Sequence, residues 1–166
     1  PWWDKFYESE EADRARRAHL EGVIFLLPWI ATIDSFQHWI YANPGHSKEE
    51  RAEVWLSIRD KFGSDMDWTG HTDFRELSWQ QQGHLFGVPF YYIEYGIAQL
   101  GSLQLWKTQM GDPQKALDDY ANAMSLGNTR TLPELFSAAD LELGFNEGHF
   151  MSLMETVATA LSELPV

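Results

Sequence analysis

Apolar and polar positions in this chain alternate with helical spacing. From Glu8 to Tyr41, acidic residues come first, then Arg14, Arg16 and Arg17, then apolar positions at Leu20, Ile24, Leu27, Ile30 and Ile33. Steps of three and four residues stack such side chains on one face, and early acids suit the positive end of a helix dipole. Pro28 lacks an amide hydrogen, so the pattern predicts a kink there or a split into two helices. Asn43-Pro44-Gly45 ends the segment. Ser47 followed by Glu50 is a capping-box signature that opens a second helix, to about Phe62.

Gly63 to Gly70 reads as a polar loop, followed by a short helix from Asp73 to about Gln82. In Gly83-His84-Leu85-Phe86-Gly87-Val88-Pro89, two glycines and a proline disfavour regular helix, so a loop is predicted. Phe90 to Met110 then reads as a long helix closed by Gly111. Asp112-Pro113 caps the next, which continues to Ser125 before Gly127-Asn128. Thr131-Leu132-Pro133-Glu134 starts a short helix and Asn146 starts the last. No alternating run is long enough for a strand, and no repeat of roughly 20 to 50 residues recurs. The expectation is an all-α, multi-helix fold, with residues 1–166 forming a single helical domain.

Composition narrows the partners. A chain of 166 residues can bury roughly two-thirds of its unfolded surface in one core. Eight Trp, six Tyr and ten Phe are many for this length and require a core, an interface or a groove. Twelve Lys and Arg against 25 Asp and Glu leave a formal charge of −13, which disfavours nucleic acid and anionic membrane surfaces. The longest apolar stretch, Gly22 to Ile33, is too short to span a bilayer, so no membrane partner is expected. With no cysteine, there is neither a disulfide framework nor a thiolate ligand, and a cytoplasmic location is expected. The chain opens at Pro1 rather than Met and meets Trp2, Trp3 and Phe6 at once, which reads as an excerpt of a longer protein.

On a wheel of about 100° per residue, a helix from Phe90 sets Tyr91, Tyr92, Tyr95, Gln99, Ser102 and Trp106 within one arc of about 100°. Ile93, Ile97 and Leu100 fall opposite. A face of phenols, an amide and an indole suits a groove wall that hydrogen-bonds a ligand; it equally suits buried aromatics satisfied by neighbouring helices, and spacing alone favours the latter. His84 lies just upstream, where its imidazole could reach the space over these phenols. A lone loop histidine is more often solvated. His19, His38, His46, His71 and His149 show no ligand spacing such as H-x-x-x-H or H-E-x-x-H. Glu8, Glu10 and Glu11 read as a solvated first turn, and Asp34, Gln37 and Glu94 as polar groups that must be paired where buried.

The block from His84 through Val88-Pro89-Phe90-Tyr91-Tyr92-Ile93-Glu94-Tyr95-Gly96 to Gly101 resembles the substrate-binding segment of oligoendopeptidase F. Ile33-Asp34-Ser35-Phe36-Gln37-His38-Trp39-Ile40-Tyr41 with Asn43-Pro44 is similar to the same family's upstream sequence. Leu126-Gly127-Asn128-Thr129 and Leu132-Pro133-Glu134-Leu135-Phe136 resemble its C-terminal region.

The resemblance implies the C-terminal part of a channel-type zinc oligopeptidase fold, in the wider family that includes thimet oligopeptidase. It implies that His84, Tyr92 and Tyr95 contact the substrate backbone and help stabilise the oxyanion, with His84 and Tyr95 catalytic and Tyr91 a neighbour in substrate binding. The family's zinc motif, H-E-x-x-H plus a later Glu, does not occur in this sequence and is expected upstream of Pro1. Zinc is therefore expected in the full-length enzyme and not on this chain, which should be inactive alone. The implied function is the substrate-binding part of a metallopeptidase cleaving short peptides. The alternative is a non-catalytic helical binding or scaffold domain that retains the family sequence. A surface left by the missing half would favour self-association.

Overall fold

A computed structural model describes residues 3–165; helices joined by turns and loops make up the fold, and no strand occurs among the described residues. Of the aromatic opening, Trp2 lies outside the described residues, as do Pro1 and Val166. After a 3₁₀ turn at Trp3–Lys5, the elements are α1 (Ser9–Ala42), α2 (Lys48–Phe62), α3 (Thr72–Leu77) and a 3₁₀ segment, Ser78–Gln81. They continue with α4 (His84–Gly87), α5 (Ile93–Gly111), α6 (Pro113–Ser125), α7 (Leu132–Ala138) and α8 (Glu147–Ser162). The chain divides into two compact units, Val23–Gly96 and the residues up to Gly22 with those from Ile97 onward.

In the Val23–Gly96 unit, Ile30, Ile33 and Phe36 of α1 meet Trp55 of α2, Trp79, Leu85 and Tyr92 in one buried cluster. Each such side chain gains about 1.5–3 kcal/mol on leaving water. Trp55 is fully buried, packs edge-on to Phe36 with centroids 4.9 Å apart, and donates its indole hydrogen to the Arg75 carbonyl at 2.9 Å. That bond ties α2 to the end of α3. Arg59 lies over the rings of Trp29 and Trp55, at 5.2 and 5.8 Å from their centroids. At the start of α2, the Ser47 amide donates to the Glu50 carboxylate at 2.7 Å and the Glu50 amide donates back to Ser47 Oγ at 3.1 Å.

The predicted split does not occur: α1 is one helix through Pro28. The proline costs one backbone hydrogen bond, but the residues that follow it are held by the core, and Thr32 Oγ1 donates to the Pro28 carbonyl at 2.9 Å. The same helix is long and apolar enough to cross a bilayer, with an 18-residue window of mean hydropathy 1.2, a property that counting unbroken apolar residues does not reveal. Ile30, Ile33 and Phe36 nevertheless spend that apolar character on a protein core.

The other unit closes its helix ends with side chains. Arg17 Nη2 donates to the carbonyls of Leu161 at 3.1 Å, which also accepts the Leu164 amide, and of Leu164 at 2.7 Å, tying α1 to the chain at the end of α8. Gln104 of α5, buried, donates to the Glu142 carbonyl at 2.9 Å and accepts from the Glu142 amide at 2.8 Å. Asp112 caps α6 with Pro113 in its first turn, Asn146 caps α8, and Glu134 of α7 accepts from both the amide and the hydroxyl of Thr131 at 2.8 Å. Gly101 packs closely, because a Cβ there would stand 3.2 Å from the ring of Phe136 and the ring would have to give by a few tenths of an ångström.

Candidate functional site

The predicted loop before α5 is a single helical turn, α4, flanked by tight turns. The amide of Leu85 donates to the Gln82 carbonyl and that of Val88 to the His84 carbonyl, at 3.1 and 3.2 Å. Leu85 is buried in the core, which pins the turn and sets the half-buried imidazole of its neighbour, His84, beside the aromatic segment that follows.

Phe90 departs from the predicted helix. Its φ is +61°, the left-handed region that bulky residues rarely enter, and its ring packs against His38 and Tyr41 with centroids 5.0 Å away in each case. Packing of this kind can hold a strained backbone that sequence alone would not choose. The helix therefore begins at Ile93, and Tyr91 and Tyr92 precede it. The wheel that placed both on one helical face does not apply to them. Tyr92 turns into the core, while Tyr91 is 48% exposed and Tyr95, in the first turn of α5, is 40% exposed.

Even so, the four residues converge. The imidazole of His84 lies 6.3 Å from the ring of Tyr91, nearly parallel to it, and 5.0 and 5.6 Å from those of Tyr92 and Tyr95, both edge-on. Tyr95 also meets Tyr91 and Tyr92 edge-on at 5.6 and 5.2 Å. Such geometry matches the quadrupoles of the rings, each pair contributing about 0.5–1.5 kcal/mol beyond area. His84 Nε2 is 3.1 Å from Tyr95 Oη. Burial pushes the Tyr92 phenol above the usual tyrosine range; a hydrogen bond from Trp29 opposes this and Tyr95 adds to it.

Two further residues join the site that the pattern of the sequence did not single out. Gln82 Nε2 lies 2.6 Å from His84 Nδ1, and the indole of Trp29 donates to Gln82 Oε1 at 3.3 Å. Gln82 is close to His84 in the chain, which is the one signal that could have found it. Trp29 is 53 residues from Gln82 and gives none.

The other polar candidates lie apart from this cluster. Asp34 pairs with His38 on its own helix at 3.5 Å, Glu94 is exposed, and the buried amide of Gln37 finds no hydrogen-bond partner among the described residues. Glu8, Glu10 and Glu11 are exposed. Among the described residues no three His, Asp or Glu side chains converge to hold a metal ion.

A search among proteins of curated function gives no match. Solved structures do. PZ peptidase A in complex with an inhibitor superposes with a TM-score of 0.89 at 30% identity, over 98% of this chain and 29% of its own. A protein assigned as an oligoendopeptidase F gives 0.81 at 34% identity, over 93% of this chain and 28% of its own. Another so assigned, from Bacillus anthracis, gives 0.76 at 31%, over 98% of this chain and 26% of its own. The chain thus spans less than a third of each of these relatives. The family model of peptidase family M3 matches residues 4–154, and the chain belongs to that family.

Proposed function

We propose that this chain is the substrate-binding part of a zinc metallo-oligoendopeptidase that hydrolyses short peptides, with His84 and Tyr95 serving the reaction and Tyr91 and Tyr92 lining the site. The observation that carries the reading is the contact of His84 Nε2 with Tyr95 Oη, in a cluster where both phenol and imidazole remain partly open to solvent. A phenol so held can donate to a peptide carbonyl oxygen as it gains charge during attack, which lowers the barrier because the bond strengthens in the transition state.

Tyr92, buried, supports the imidazole edge-on, and exposed Tyr91 offers a flat apolar surface and a hydroxyl to the peptide backbone. Zinc belongs to the parent enzyme and is held by residues other than these. The 166-residue chain alone is inactive on this reading. The test is hydrolysis of a short fluorogenic peptide by the full-length peptidase with and without the Tyr95 hydroxyl. Loss of turnover supports the reading; unchanged turnover leaves this chain a helical scaffold.

A further inference from the structure

The hydrogen bonds behind His84 have a direction that follows from donor and acceptor chemistry alone. The one indole hydrogen of Trp29 is shared between the Tyr92 phenol and Gln82 at 3.3 Å. Because that nitrogen only donates, the atom of Gln82 that faces it is the amide oxygen, an amide NH₂ there setting donor against donor. The amide nitrogen of Gln82 is then the atom 2.6 Å from His84 Nδ1, and it too only donates. Nδ1 must therefore accept. A hydrogen on Nδ1 would set two donors against each other at that distance.

The consequence reaches Tyr95. With Nδ1 accepting, the neutral imidazole carries its hydrogen on Nε2 and donates to Tyr95 Oη at 3.1 Å. The phenol oxygen is then the acceptor of that bond, and its own hydrogen is free to point elsewhere. In the opposite tautomer Nε2 would take the phenol hydrogen, and Tyr95 could not donate to a third oxygen. Trp29 and Gln82 thus decide, from behind the imidazole, what Tyr95 can do in front of it.

We propose that Gln82, oriented by Trp29, is a positioning residue that fixes His84 with hydrogen on Nε2 and so leaves the Tyr95 hydroxyl free to donate to a substrate oxygen. The proposal rests on the reading of Tyr95 as that donor. It adds two residues that act without touching the peptide.

The experiment uses the full-length peptidase with nitrogen-15-labelled histidine, the His84 resonances being identified by their loss in His84→Asn. In the parent protein the neutral ring should show hydrogen on Nε2. Gln82→Glu keeps the shape but presents only acceptors to Nδ1, so the hydrogen should move to Nδ1 and kcat fall about 10–100-fold with KM changed less than about threefold. Gln82→Met, similar in length and with no donor, and Trp29→Phe, which lets the amide turn over, should each give a mixture of tautomers and a smaller loss.

Hydrogen on Nδ1 in the parent, or an unchanged tautomer in Gln82→Glu, would overturn the proposal. So would a tautomer that moves while kcat does not. Failure of the underlying reading is seen separately: unchanged kcat in Tyr95→Phe removes the donor role, and with it the role of Gln82, while the imidazole result still stands.

Discussion

His84 Nε2 and Tyr95 Oη stand 3.1 Å apart although eleven residues separate them in the chain. A one-turn helix holds the first and the opening turn of α5 holds the second, so both sit at the ends of pinned elements rather than on a free loop. Removing the hydroxyl while keeping the ring isolates its chemistry from its packing.

Tyr95→Phe in the full-length peptidase should therefore lower kcat about 10²–10³-fold, the usual loss for one oxyanion donor, with only a modest change in KM. Tyr91→Phe should do less, because no hydrogen bond aligns its hydroxyl with His84. Steady-state kinetics on a fluorogenic peptide decide it: kcat within about threefold of the parent, below roughly 1 kcal/mol, would make the Tyr95 hydroxyl structural.

Gln104→Met should destabilise the unit formed by the residues up to Gly22 and those from Ile97. The substitution keeps the length of the side chain and leaves the amide and carbonyl of Glu142 without the two partners that Gln104 supplies. The loss should be about 1–3 kcal/mol, toward the lower end because Glu142 is itself exposed to water. A denaturant midpoint equal to that of the parent would show that water replaces the amide fully.

Acid should loosen the starts of α2 and α7. Hydrogen bonds from Ser47 hold the Glu50 carboxyl below its ordinary value of 4.5, and those from Thr131 do the same for Glu134. A carboxyl whose folded pKa is lowered contributes stability that is complete above 4.5 and is lost as pH falls through the lowered values. Glu50→Gln with Glu134→Gln should flatten the fall in melting temperature over that acid range. An unchanged slope would assign the acid sensitivity to other groups.

The 166-residue chain on its own should self-associate and should not hydrolyse peptides. Phe25, Phe86 and Met66 are 71%, 62% and 62% exposed, apolar surface of a kind that invites contact. Light scattering at increasing concentration would reveal a rising mass. A strictly monomeric chain, or metal-dependent turnover by the chain alone, would contradict this reading.

Much of this molecule is legible in its sequence because helix ends are local devices. Ser47 with Glu50, Asp112 with Pro113, Thr131 with Glu134, and Asn146 each announce a helix start from side chains within four residues, and each stands where expected. The all-α class follows from the same periodicity. His84 and the tyrosines could be singled out together because they lie in one short block of sequence.

What lay beyond the sequence depended on contacts across the chain. Pro28 does not end α1, because core packing of Ile30, Ile33 and Phe36 outweighs one missing hydrogen bond. The left-handed turn at Phe90, held by His38 and Tyr41, delays α5 to Ile93 and sends Tyr92 inward while Tyr91 stays exposed. Trp29 reaches Gln82 across 53 residues to orient the amide behind His84. By itself, then, the sequence determined the all-α class, the capped helix starts and the identity of the four clustered side chains, since those are properties of neighbours along the chain. Only the tertiary structure decided which tyrosine is buried, where its helix begins and which atom of the imidazole faces Tyr95, because each depends on partners that the fold, and not the order of residues, brings together.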